Sequence, residues 1–254
     1  MTIDSATIIA SAIDNKNSEN SKSITSNKSD KAFDSVNDYY TINSLDKKPT
    51  RKSASKVGKS MKEKCRKLHK PIVESTKTIT NRLYKDWSQV VHSLYSNRCA
   101  VCGCEGKNDA HHIQPRQICS GLRFDPMNGI CLCPSHHKWG KQSAHKGMLW
   151  FVTWLQNNKK DVYDYVMANM DKELDCKNRS DLYFEENLLH RKYENVLGKL
   201  PTFSVVGYTK DGTKVHSDIT AYNKKSAEYI FWSSWIDKEH PLKGIHKTEQ
   251  IDII

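Results

Sequence analysis

The sequence predicts an α+β fold, and three observations carry that prediction. Between Cys99 and His145 lie six of the eight cysteines and five of the eleven histidines, a density of soft and borderline ligands that marks a metal-stapled unit. From Gly147 to Leu197 the apolar residues recur at helical spacing. From Phe203 onward, two β-rich segments flank Lys210-Asp211-Gly212, a hairpin signal.

Within the first stretch two short-spaced pairs stand out, Cys99-x-x-Cys102 and Cys133-x-x-His136. Each can put two ligands on one ion from a single tight knuckle, and together they make the closed tetrahedral arrangement of a structural Zn²⁺. The metal would close the loop between the pairs and so supply folding free energy that this Gly-rich, polar segment can hardly draw from a core. A redox-active C-x-x-C, or a set of merely buried thiols, leaves the second pair without a purpose.

Between the pairs lies Asp109-Ala110-His111-His112-Ile113, followed by Asn128 and then His137. An adjacent His-His before an apolar residue suits a β-strand, whose successive side chains face opposite ways, so that one imidazole can bind a metal while its neighbour takes a proton. Pro134 is suited to the first position of a helix, which would put His137 in its first turn.

This order resembles that of the HNH (ββα-metal) endonucleases with zinc knuckles. That family runs C-x-x-C, a D/H-H-I strand, a central Asn, and L-C-x-x-C-H; here it reads Cys99-x-x-Cys102, His111-His112-Ile113, Asn128 and Leu132-Cys133-x-x-His136-His137. His136 stands where the family usually has a second cysteine, so the expected ligand set is Cys99, Cys102, Cys133 and His136, with Cys104 or Cys131 as the alternative fourth ligand. The resemblance implies that His112 is the general base, that His111 and His137 hold a catalytic divalent ion, expected to be Mg²⁺, and that Asn128 orients the base loop or reaches the metal. It also implies hydrolysis of phosphodiester bonds in DNA, leaving 5′-phosphate and 3′-hydroxyl ends. Leu122-Arg123-Phe124-Asp125-x-x-Asn128 is similar to phage NinG-type recombination nucleases, which would shift the substrate to branched or single-stranded DNA. A zinc-dependent DNA-binding module without catalysis is the reading from another class, and the intact His111, His112, Asn128 and His137 set argues against it.

The expected organisation is a disordered tail over 1–60, a basic linker over 61–85, a zinc-stapled ββα-metal module over 86–146, a helical extension over 147–200 and a small ββαβ unit over 201–254. The tail is Ser-, Asn-, Lys- and Asp-rich, a composition that buries too little to offset chain entropy. Ala6 to Ala12 lacks the length and the basic flank of a signal peptide or membrane span, so an intracellular, non-secreted chain is expected. Residues 47–70 carry eleven Lys and Arg against Glu63 alone, and the whole chain has a formal charge of +11; both fit a polyanion partner.

A helix is expected from Asp86 as N-cap to Ser96, with Trp87, Val90, Val91, Leu94 and Tyr95 on one face as core residues. Arg116 and Arg123 precede the Asp125 to Gly129 turn, and Lys138 and Lys141 follow His137; all four would grip phosphates without reading bases. His145 is open between a third metal ligand, a phosphate donor and a surface histidine. A helix with Met148, Phe151, Val152 and Leu155 on its packed face is expected next, then helices begun at Asp161 and Asp181. In the last unit, Asn223 caps a helix carrying Ala227, Ile230 and Phe231, and Gly244 to Ile254 closes the sheet, with Lys210, Lys214, Lys224 and Lys225 available to position DNA.

Overall fold

The structure is a computed structural model that describes residues 68–251 apart from 237 and 240. The expected tail over 1–60 lies outside the described residues, as does most of the basic run.

Helix α1 (Thr76–Leu94) is the element on which both halves pack. Its N-cap is Ser75, whose hydroxyl accepts from the Thr78 amide at 3.1 Å. Ile79, Leu83, Trp87, Val90 and Val91 form one buried stripe along it. The helix thus begins at Thr76, not at Asp86: Ile79 and Leu83 extend the apolar period upstream, and Asp86 is a buried mid-helix residue whose Oδ2 lies 3.2 Å from His190 Nε2.

The module that follows is a ββα unit. Strands β1 (Asp109–His112) and β2 (Gly129–Leu132) pair antiparallel, with His111 opposite Ile130 and His112 opposite Gly129. Between them runs a short 3₁₀ turn, Pro126–Asn128, capped by the Asp125 side chain accepting from the Met127 amide. After β2 comes a π-helical turn, Ser135–Trp139, entered through Pro134. Strand β2 starts against α1 so closely that a Cβ on Gly129 would lie 2.2 Å from Val91 Cγ2, so only glycine fits there.

Helices α2 (Met148–Asn158) and α3 (Lys160–Ala168) cover the far side of the module. Phe151 and Leu155 are buried, as expected, whereas Met148 is 70% exposed and Val152 also faces solvent. The packed face is instead completed by Trp150 and Trp154, which lie partly buried against Cys99, Ile130 and Cys133. Helix α4 (Arg179–Lys192) and a single turn, α5 (Glu194–Leu197), replace the one helix expected over 181–197. The break falls at Tyr193, whose backbone leaves the helical region and whose ring is buried.

The C-terminal sheet has the order β4-β3-β5, from strands β3 (Thr202–Thr209), β4 (Lys214–Thr220) and β5 (Leu242–Ile251), with helix α6 (Lys224–Ser233) between β4 and β5. This is the expected ββαβ order. Its core is continuous with α1 and α4: Phe203, Val205, Phe231 and Ile245 share one buried cluster with Ile79, Leu83, Leu182 and Tyr183. Polar groups reinforce the junction. Arg82 on α1 forks onto Glu186 of α4 at 2.7 and 3.1 Å and onto Glu74 at 2.9 and 3.3 Å, and Glu74 also accepts from Tyr183 and Ser226. Among the described residues no helix is long and apolar enough to cross a membrane.

Candidate active site and metal centres

Two ligand clusters flank the β1-β2 hairpin. In the first, the sulfurs of Cys99, Cys102, Cys104 and Cys133 all lie within 4.8 Å of one another. The Cys99 to Cys104 knuckle is tied by Cys99 N–H to the Cys104 carbonyl at 3.0 Å and Gly103 N–H to the Cys99 carbonyl at 2.8 Å. Gly103 takes a positive φ of 71°, which a side chain would resist. His136 reaches the same place from the π turn, with Nδ1 3.6 Å from Cys99 Sγ and 3.2 Å from Cys133 Sγ. Tetrahedral Zn²⁺ with ordinary Zn–S and Zn–N bonds separates its donors by about 3.6 to 3.8 Å. Cys102 Sγ to Cys133 Sγ at 3.9 Å and Cys99 to His136 at 3.6 Å are close to that spacing. The four sulfurs are the mutually close set, and His136 lies beside Cys99 and Cys133 as the alternative to Cys104 for the fourth position. Cys131 is not among them: it is fully buried, with its sulfur 3.6 Å from His92 Nδ1.

The thiols are electrostatically primed for a cation. Burial raises the Cys99 thiol, but backbone contacts at Cys133, Cys102 and Val101 more than offset it and bring it down to about 6. Its neighbours move the other way. Cys104 is pushed up to about 12, first by its hydrogen bond to Cys102, and Cys133 is raised by burial and then by Cys99. One thiolate forms easily and further ones repel it, the situation that a bound cation resolves.

The second cluster gathers His111, His137 and His145, whose ligating nitrogens also lie within 4.8 Å of one another. His111 projects from β1 on the same face as Asp109. The Asp109 carboxylate meets His137 Nδ1 at 2.7 Å, which fixes the proton on Nδ1 and turns Nε2 towards His145 Nε2, 3.2 Å away. Burial, then the neighbouring His137 and His145, push His111 down to about 3. His137 is lowered by burial against the opposing pull of Asp109. Three imidazoles, one of them held by a carboxylate, make a group that could hold a metal ion.

His145 is thereby brought into the site, eight residues after His137. The return is made by backbone bonds from Ala144 N–H to the His136 carbonyl and from His145 N–H to the His137 carbonyl. It needs glycine at both ends of the loop. A Cβ on Gly140 would meet the Ser135 carbonyl at 2.8 Å, and one on Gly147 the Lys141 carbonyl at 2.5 Å.

His112 faces the opposite side of β1, as strand alternation requires. Its ring lies flat on Trp87 of α1, with centroids 3.8 Å apart and planes within 9°, and Tyr84 stands edge-on to it. Nε2 is 2.9 Å from the Arg123 carbonyl and so carries the proton, leaving Nδ1 as the basic nitrogen. Burial lowers the His112 pKa, the carbonyl contact opposes this, and the charges of Arg116 and Arg123 lower it further. Trp87, expected only as a core residue, is thus also the platform on which this imidazole rests.

Asn128 is fully buried, and its amide is taken up by backbone groups. Its amide oxygen accepts from Gln114 N–H at 2.7 Å, and its nitrogen donates to the carbonyls of Gln114 and Leu122. It pins both ends of the segment leading from β1 to the 3₁₀ turn, the loop that carries Arg116. Arg116 and Arg123 converge over the Tyr84 ring, at 5.0 and 5.5 Å from its centroid. Lys138 lies 3.3 Å from the Asp109 carboxylate, and Lys141 is exposed.

Residues 99–140 match the model of a family described as HNH endonuclease. No curated protein and no solved structure matches the chain. The matched segment runs from the first cysteine of the thiol cluster through β1, β2 and the π turn, and stops short of His145. The chain therefore carries a nuclease-type HNH module, with its remaining residues outside the match.

Proposed function

We propose that this chain is a metal-dependent endonuclease that hydrolyses phosphodiester bonds in DNA. The observation that carries the proposal is the division of labour on β1: His111 joins His137 and His145 on one face, and His112 stands alone on the other with a free Nδ1. In this reading the thiol cluster, closed by Cys104 or His136, holds the structural Zn²⁺ that fixes the hairpin.

His111, His137 and His145 would hold the catalytic ion, and the chemistry it supplies when bound is stabilisation of charge on the phosphate and on the departing 3′ oxygen. Three nitrogen donors suit a first-row transition ion better than Mg²⁺, which prefers oxygen. His112 Nδ1 removes a proton from the attacking water, and its lowered pKa keeps it neutral and available at pH 7. Asp109 keeps His137 in the tautomer that leaves Nε2 for the ion. Arg116, Arg123, Lys138 and Lys141 attract the phosphate backbone.

The test is cleavage of supercoiled, linear and branched DNA across a panel of divalent ions. His112→Ala should keep zinc, fold and DNA affinity while losing roughly 10²- to 10⁴-fold in rate, the usual worth of a general base. His111→Ala, His137→Ala and His145→Ala should instead be partly rescued by raising the metal concentration. Wild-type rates from His112→Ala would remove it as the base. A wild-type protein inert on every DNA form would leave a zinc-dependent binding module.

A further inference from the structure

We infer that the cavity beside the C-terminal end of α6 is a second nucleic-acid site, which takes an unpaired nucleotide of single-stranded DNA with its base against Trp232 and Trp235 and its phosphates on Lys70, Lys210 and Lys243.

The cavity is an open one of about 500 Å³. Three of its lining residues are lysines from separate parts of the chain: Lys70 ahead of α1, Lys210 in the β3-β4 hairpin and Lys243 on β5. Among the described residues none of the three has an ion-pair partner, and none of those lining the cavity is acidic. Like charges gathered round one opening repel each other unless an anion is shared between them. The remaining walls are largely apolar, and two of them are indoles. Trp232 and Trp235 are partly buried against the main core, which leaves part of each ring to the cavity.

The backbones that carry these groups are fixed. His69 and Ile245 exchange both amide bonds, at 3.0 and 2.9 Å, which anchors Lys70 beside β5. Lys210 N–H donates to the Pro241 carbonyl at 3.0 Å and ties the hairpin to the approach to β5. Trp235 N–H donates to the Trp232 carbonyl at 3.1 Å, which sets the spacing of the two indoles. A cation rim around aromatic walls is the chemistry that holds single-stranded nucleic acid, with phosphates on the lysines and a flat base on the ring faces. A duplex hides its base faces in the stack and cannot use the indoles. The sequence adds a second feature, since the ten Lys and Arg of residues 47–67 lead directly to Lys70.

The inference rests on the proposed nuclease reading only for the nature of the polymer. It is tested on the full chain by fluorescence anisotropy with a labelled oligothymidylate of about ten nucleotides, within the span of one single-strand-binding module. An abasic strand of equal length should bind at least about fivefold more weakly, the lower end of base-on-aromatic stacking. The Lys210→Gln/Lys243→Gln double variant should bind the oligothymidylate about tenfold more weakly. Its log affinity against log salt should flatten by about 1.4, two phosphate contacts at about 0.7 each. Equal binding of abasic and thymidylate strands would overturn the proposal. So would an unchanged affinity and salt slope in the double variant, or a lowered melting temperature with unchanged affinity, which would assign the lysines to complementing the C-terminal end of α6. Duplex cleavage by the wild type reports separately on the nuclease reading, so the two can fail independently.

Discussion

The two sides of α1 are held together by different physics. On one side, the hairpin and its knuckles have strands of four residues, two donor clusters and a small apolar cluster around Ile130, Leu132 and Phe151. On the other, strands of seven to ten residues and two helices close over a long continuous core, which also takes in Phe124 and Cys131 of the module and is cross-linked by Arg82, Glu74 and the buried Glu186. The difference teaches where each kind of stability belongs. The hairpin side devotes its residues to two donor clusters and a small core, and the sheet side to the larger core.

The largest effect expected from this contrast is on metal removal. Structural zinc contributes roughly 10–16 kcal/mol to folding in small zinc modules. Stripping it should therefore abolish hydrogen-exchange protection in residues 99–146 while β3, β5 and α4 keep theirs. Simultaneous loss of protection in both regions would mean that the two sides fold as one. In the same experiment, Cys104→Ser and His136→Ala separate the two candidates for the fourth ligand, since only the true ligand's loss should lower zinc retention.

The converse break is Arg82→Ala, which strands two carboxylates in the junction. Removing one partner of a buried pair typically costs about 3–5 kcal/mol. Chemical denaturation should show that loss, with the zinc content of the folded protein unchanged. Next in size is Gly129→Ala, whose Cβ would overlap Val91. Overpacking of this kind costs about 1–3 kcal/mol and should appear as a lowered melting temperature together with a displaced β2.

The smallest effect is in pH. His190 places one ring nitrogen 3.2 Å from Asp86 and the other 3.2 Å from the Gly198 carbonyl, an arrangement that only the doubly protonated ring satisfies. Burial lowers its pKa, but Asp86 and the carbonyl outweigh burial and hold it above the usual histidine value. The folded state thus binds this proton more tightly than the unfolded chain. The contribution is fully present below the unfolded histidine pKa of about 6.5 and is lost as pH rises through the higher folded value. His190→Gln should flatten that dependence in urea titrations at several pH values.

What was legible in the sequence is what local spacing encodes. Cys99, Cys102 and Cys133 come together, joined by Cys104; His111 and His112 lie on one strand and face apart; and the hairpin at Lys210-Asp211-Gly212 pairs β3 with β4. What was not legible depends on distant partners. Asp86 looks like a cap until His190 is known to lie opposite it. The return of His145 depends on a loop whose path is set by clashes at Gly140 and Gly147. The packed face of α2 is chosen by the cysteine module, and an apolar count cannot distinguish Met148 and Val152 from Trp150 and Trp154. The small size of the ββαβ unit implies that it leans on the preceding helices, but which residues of α1 and α4 it meets is invisible to any window of sequence.

One turn of α1 has a consequence for how the gene can vary. Asp86 and Trp87 are consecutive, yet the first serves α4 through His190 and the second supports the His112 ring. Successive helical residues point about 100° apart, so the register of this turn sets both partnerships at once. A one-codon insertion or deletion between Arg82 and Asp86 would rotate the residues after it by about 100° relative to those before it and disconnect the Arg82 junction from the His112 platform. Length changes should therefore be rejected in this helix, an outcome that a library of single-codon insertions would reveal without any biochemical assay of the site.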